Sequence, residues 1–153
     1  ITNQELSGQA QRLASHHEEN SGLTTKVVQL SEIYNEFGSG SPDITAIRNF
    51  IKHLYNSNTS QSSKLTYVCF FGDASYDYKD RITNNNNIVP ALQSFQSFNL
   101  ATSYVTDDYF VMLDPGEGNM LSSHTLDVAS GRIPVSDIQQ ATDVVDKILS
   151  YYR

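Results

Sequence analysis

Lys64-Leu65-Thr66-Tyr67-Val68-Cys69-Phe70-Phe71, followed at once by Gly72-Asp73, is the stretch on which the fold turns. Its near-continuous apolar run, rich in aromatic and β-branched residues, predicts a strand covered on both faces, as strands of parallel sheets are. Successive side chains of a strand alternate between faces. Tyr67, Cys69 and Phe71 are therefore expected on one side, with Val68 and Phe70 on the other. Gly72-Asp73 closes the run with turn chemistry.

On the N-terminal side, Ser41-Pro42-Asp43 reads as a helix start. Ser41 can cap, Pro42 suits the first helical position and Asp43 the positive end of the dipole. Ile44, Ile47, Ile51 and Leu54 then share one face, and residues 56–63 form a polar loop. Further back, Leu6, Ala10, Leu13 and His17 have helical spacing over residues 3–20, with Gly22 placed to end the helix. Residues 24–30 read as a strand, residues 31–37 as a helical turn, and Gly38-Ser39-Gly40 as a break. On the C-terminal side, residues 80–87 are a polar loop and residues 114–119 a turn. Residues 126–130 read as a short strand stopped by Gly131. Ser136 and Gln139 have capping-box spacing ahead of a last helix through Ile138, Ala141, Val145, Ile148 and Tyr152.

Helices alternating with short buried strands predict a three-layer α/β/α domain with a mostly parallel sheet, one subdomain over residues 1–153. The strand expected before the first helix is reduced to Ile1-Thr2, and no strand follows the last helix. Both ends are expected to be cut from something longer. The open sheet edge this leaves invites self-association.

The formal net charge of −7, with ten scattered Lys and Arg, argues against nucleic acid as a partner. No run approaches the ~20 apolar residues of a membrane span. The single cysteine, Cys69, rules out a disulfide within the chain and a Cys-rich zinc site. It stands mid-strand between Val68 and Phe70, and reads as a small buried core residue rather than as a nucleophile, which needs an exposed electropositive setting.

Asp73 follows the most buried strand, where open α/β sheets bind ligands. It can serve a metal or a substrate, or cap the following turn, and composition alone favours the cap. Asp107 and Asp108 stand side by side. In extended chain they point to opposite faces and read as two solvated acids. Asp127 precedes Gly131-Arg132 and can reach a cation shared with Asp73 if the two strands are neighbours; otherwise it is an edge acid in water. Arg132 reads as a tie to a carboxylate or a loop end. His16 reads as solvated, His17 as flanking the apolar stripe, and His53 and His124 have no base or nucleophile nearby in sequence.

Four stretches, in this order, resemble the gingipain peptidase family: Ile33-Tyr34-Asn35-Glu36-Phe37-Gly38-Ser39-Gly40-Ser41-Pro42-Asp43-Ile44-Thr45-Ala46-Ile47-Arg48, Phe71-Gly72-Asp73-Ala74-Ser75-Tyr76-Asp77-Tyr78-Lys79, Ser103-Tyr104-Val105-Thr106-Asp107-Asp108-Tyr109-Phe110 and Ser130-Gly131-Arg132-Ile133-Pro134-Val135. Their wording is closest to the type IX secretion sortase branch. The resemblance implies the first, non-catalytic subdomain of a caspase-like cysteine peptidase, with the catalytic His and Cys in a downstream subdomain. It further implies calcium held by Asp73 and Asp127, although the longer turn at residues 114–124 departs from the family pattern. Protein substrates and secretion components are the partners it implies, and the outer membrane or cell surface of a bacterium the location. Two alternatives stay open: a binding or docking module of the same fold, and a stand-alone metal-dependent hydrolase using Asp73 and Asp77.

Overall fold

The computed structural model describes residues 1–57, 64–78, 81–96, 98–120 and 123–152. Helices α1 (Ser7–Ser21), α2 (Leu30–Phe37) and α3 (Ile44–Ser57) precede strand β1 (Tyr67–Phe71). A hairpin of β2 (Leu92–Gln93) and β3 (Val105–Thr106) follows, then β4 (Ala129–Ile133) and α4 (Ile138–Ser150). β1 and β4 pair in parallel, with Tyr67 opposite Ala129 and Phe71 opposite Ile133. β2 and β3 pair antiparallel. The mixed α/β fold with a parallel sheet agrees with the expectation from sequence.

Each helix begins and ends for a local reason. Gly22 closes α1 at φ 64°, a left-handed conformation that costs glycine little. α2 is a full helix rather than a turn, and the Glu32 carboxylate accepts the Gln29 N–H at 3.0 Å. α3 starts later than Ser41-Pro42 suggest. Asp43 caps it, accepting the Thr45 N–H at 2.8 Å. α4 is capped by Asp137, which accepts the Gln140 N–H at 2.8 Å, and Ser136 bonds the Gln140 side chain. The predicted box is thus displaced by one residue.

Two apolar clusters hold these elements together. Val68 and Phe70 of β1 join Leu30 and Ile33 of α2, Ala46, Ile47 and Ile51 of α3, and Phe110, Val111 and Val128. Phe71 joins Leu6, Ala10 and Leu13 of α1 with Ala141 and Val145 of α4. Full burial of one such side chain is worth roughly 1.5–3 kcal/mol. The alternation predicted for β1 is therefore present, but coverage is unequal. Val68 and Phe70 are buried, whereas Tyr67 is 63% exposed and Cys69 lies at the surface. The expectation of a strand covered on both faces, with Cys69 in the core, is corrected: on this face α1 and α4 cluster with Phe71, at the C-terminal end of β1, and the start of the strand is left bare.

Two further expectations are revised. Residues 24–30 do not form a strand; only Gln29 pairs, in a parallel bridge with Thr2. Gly131 does not stop a strand but lies inside β4. Of the predicted loop at 56–63, residues 58–63 lie outside the described residues, and Asn56 and Ser57 belong to α3. In the polar loop at 80–87, Asp80 likewise lies outside them. Among the described residues no helix is long and apolar enough to cross a membrane.

Candidate functional site

A cleft of about 500 Å³ opens at the C-terminal end of β1 and β4. Asp73, Val105, Thr106, Asp107, Asp108 and Arg132 are among the residues that line it. Beyond the last paired residues the chain stays bonded to the end of β4 and the turn after it: Gly72 N donates to Ile133 O and Asp73 N to Val135 O, both at 2.9 Å. Gly72 sits at φ +147°, where a side chain is strained, and an added Cβ would stand 2.5 Å from Ile88 Cγ2. The sharp exit from β1 therefore needs glycine. The Asp73 carbonyl then accepts the Ile88 and Val89 N–H groups at 3.0 and 2.9 Å, which draws the returning loop onto the strand end.

Arg132 forms the wall of the cleft. Its Nε donates to Asp107 Oδ2 at 2.8 Å and its Nη2 to Oδ1 at 2.6 Å, the bidentate geometry in which Arg–carboxylate bonds are strongest. Nη1 donates to the carbonyls of Gly72 and Val89 at 2.7 Å each, and Nη2 also reaches Pro90 O at 3.3 Å. The guanidinium stacks on the Phe70 ring, 5.4 Å from its centroid. Arg132 thus ties a carboxylate and three loop ends together, as its sequence context suggests. Asp107 is the correction: it is not a solvated acid but the partner of Arg132, with side chains 14% (Arg132) and 18% (Asp107) exposed. The pairing follows from the backbone turning after Thr106, whose hydroxyl accepts the Asp108 N–H at 3.1 Å. Asp107 and Asp108 are not in extended chain, so both border the cleft.

Asp73 borders the cleft and caps its own turn, its Oδ1 accepting the Ala74 N–H at 2.9 Å. Asp127 is elsewhere. It precedes the start of β4, donates its N–H to Val111 O and accepts the Leu113 N–H on Oδ2 at 2.7 Å. In the parallel register Asp127 falls level with Leu65, eight positions from Asp73, or roughly 25 Å of extended chain. One ion, with oxygens at about 2.3–2.6 Å, does not take both, so these residues do not fit the shared calcium that the resemblance implies. Among the described residues no group of three or more His, Cys, Asp or Glu is placed to hold a metal. Asp77 is buried, and its Oδ2 accepts the N–H groups of Arg81 and Ile82. It is turned into its own loop and does not line the cleft with Asp73.

The Cys69 thiol is at the surface of β1 and does not line the cleft. Partial burial raises its pKa above the ordinary thiol value, with the charge of Arg132 acting the other way. The His16 ring packs edge-on against Tyr152 at 4.7 Å, so it is not simply solvated. His53 lies against Phe37, and His124 Nδ1 is 3.1 Å from Glu117 O. Glu117 itself is buried and organises the long turn by accepting the Asp114 N–H at 2.9 Å. The sequence carried no sign of that role.

No curated protein matches the chain. Among solved structures, the crystal structure of dimeric latent PorU from Porphyromonas gingivalis is similar over 99% of this chain, with a TM-score of 0.74 and 29% sequence identity. The chain spans 16% of that protein. The model of peptidase family C25 matches residues 1–153, and the chain therefore belongs to that family, the gingipain family of cysteine peptidases.

Proposed function

We propose that the chain is the first, non-catalytic subdomain of a gingipain-like cysteine endopeptidase, and that the parent protein cleaves C-terminal secretion signals from cargo exported to the cell surface. The likeness to PorU along 99% of the chain is the observation that carries this reading. On this proposal the subdomain is inactive by itself. It buttresses a catalytic subdomain supplied by polypeptide beyond Arg153, and the cleft walled by Arg132 and Asp107 borders the substrate path. The parent works at the outer membrane or cell surface, with protein substrates and secretion components as partners. Calcium enters only as an ion bound by Asp73 together with oxygens from outside these residues.

The hairpin supports a role in docking. Phe95 and Leu100, between β2 and β3, are 92% and 96% exposed, and Phe98 is wholly exposed. Apolar surface of that kind marks interfaces. A docking module of the same fold without a peptidase would carry the same hairpin, so the two readings part on activity.

The test is reconstitution. The 153-residue chain is incubated with peptide substrates, alone and fused to the polypeptide that follows it in its gene. No cleavage by the chain alone, and cleavage by the fusion that is lost when a downstream Cys is replaced, is the expected result. Cleavage by the chain alone that disappears with Cys69→Ala would overturn the proposal. An inactive fusion that still binds export partners would favour the docking module.

A further inference from the structure

The hairpin presents an unpaired edge beside the cleft. β2 and β3 form a two-stranded sheet, with Leu92 opposite Thr106 and Gln93 opposite Val105. One step toward the hairpin tip, Ser94 N donates to Tyr104 O at 3.0 Å. In an antiparallel ladder, opposed residues that exchange bonds alternate with opposed residues that do not. The Ser94 and Tyr104 pair is bonded, so the Gln93 and Val105 pair is open, and the Val105 N–H and C=O point away from β2. The Asp107 N–H points the same way, because it lies trans to a Thr106 carbonyl that faces β2. Donor, acceptor and donor thus stand in a row, and none of the three has a hydrogen-bond partner among the described residues.

Three further features suit this edge to pairing. It is held in place: the Thr106 hydroxyl accepts the Asp108 N–H, and the Arg132 clamp fixes Asp107. It is accessible: Val105 is 59% exposed, whereas Leu92, on the other face of the hairpin, is buried. It is acidic: the cleft that Val105 borders holds the carboxylates of Asp73, Asp107 and Asp108 against the single guanidinium of Arg132. Asp107 takes up that guanidinium, and neither Asp73 nor Asp108 has an ion-pair partner among the described residues.

We propose that β3 receives a third strand, an extended peptide with basic side chains, whose backbone bonds to Val105 and Asp107 and whose charge faces Asp73 and Asp108. An unpaired strand edge is a ready template for such pairing. Where peptides add to a sheet edge, main-chain bonds supply affinity and alternate side chains supply selectivity. The excess of carboxylates decides against an acidic segment, and the row of backbone donors and acceptor decides against a helix or a lipid surface. Assigning the peptide to exported cargo rests on the peptidase reading; the edge itself does not.

The probe is the synthetic peptide Ac-Lys-Val-Thr-Val-Lys-Thr-NH2, added at up to millimolar concentration to the 153-residue chain. Hydrogen exchange of the Val105 and Asp107 amides, followed by NMR, is expected to slow by about tenfold or more, as newly bonded amides exchange only through opening. The Thr106 amide, already paired with β2, should change little. The same peptide N-methylated at every internal residue should give no protection, and replacing its Lys residues with Glu should weaken binding about fivefold or more. Val105→Pro, which an edge strand accepts, removes the outward donor and should abolish the slowing at Asp107. Unchanged exchange at Val105 with the peptide at its highest concentration would overturn the proposal. So would equal protection by the N-methylated peptide, or slowing that survives Val105→Pro. Protection that rises with protein concentration alone would overturn it too, since that places a second copy at the edge. Binding needs no cleavage, so the two readings fail separately. Slowed exchange at Val105 together with an inactive fusion would support the edge and overturn the peptidase, and an active fusion with Val105 unchanged would overturn the edge alone.

Discussion

Replacing Arg132 with Met keeps much of the side-chain volume against Phe70 but removes every charge-assisted bond of the cleft wall. Asp107 then loses its bidentate partner, and the carbonyls of Gly72, Val89 and Pro90 lose a donor. Removing one member of a buried ion pair costs about 3–5 kcal/mol, chiefly because the other charge stays buried and uncompensated. With Arg132 14% and Asp107 18% exposed, water can partly replace the lost partner. We therefore place Arg132→Met at the lower end, about 3 kcal/mol, or a fall in Tm of roughly 6–12 °C for a chain of this size. Urea unfolding followed by far-UV circular dichroism reads the loss directly. Asp107→Asn, which keeps one acceptor, should cost less, and the double variant should lose less than the sum of the two singles. A loss below about 1 kcal/mol for Arg132→Met, or strict additivity in the double variant, would refute the argument that the pair is a buried, coupled clamp.

Phe70→Ala, at a side chain 0% exposed between Phe110 and Arg132, should cost about 3–5 kcal/mol in the same assay. Gly72→Ala should destabilise by more than about 1 kcal/mol, through both its positive φ and the approach to Ile88; an unchanged urea midpoint would contradict this. Burial, with the Asp43 charge adding to it, pushes the Tyr34 phenol up to about 12. The unfolded chain releases that proton near 10, so stability should fall as pH rises from about 10 to 12, and Tyr34→Phe should remove that slope from denaturation curves taken across the range. Calcium titration by calorimetry should reveal no tight site in the 153-residue chain. Tight binding abolished equally by Asp73→Asn and Asp127→Asn would mean that the two acids share an ion after all, against the register.

What could be read from sequence was governed by period and by punctuation. The run through Val68, Phe70 and Phe71 announced a strand, and the stripes through α1, α3 and α4 announced helices, because both signals are local and repeated. Gly22 and Gly72 were legible as ends for the same reason. The exposure of Cys69 was not, because an apolar neighbourhood in sequence says nothing about whether a helix in space reaches that end of the strand. Residues 24–30 had a strand's composition, yet Gln29 alone found a bridging partner, because a strand needs a neighbour along its whole length. At the candidate site, Asp73 was correctly placed beyond β1, and Arg132 was correctly read as a tie. Its partner Asp107 escaped, since a turn 25 residues away sets that contact. The separation of Asp73 from Asp127 followed from strand direction: in a parallel pair, an acid before one strand and an acid after its neighbour stand at opposite ends.

The Arg132 clamp also bears on the order of folding. It joins Arg132 to Asp107, Val89 and Gly72, which lie 25, 43 and 60 residues away along the chain. Contacts of that separation carry a large loop-closure cost and form only when β1 and β4 are already aligned. The clamp should then be absent from the folding transition state, and its energy should appear almost wholly in the unfolding rate. A cleft wall held this way acts as a latch on the finished domain: weakening Arg132 would leave refolding speed nearly unchanged, while shortening the lifetime of the native state by about a hundredfold for a 3 kcal/mol loss.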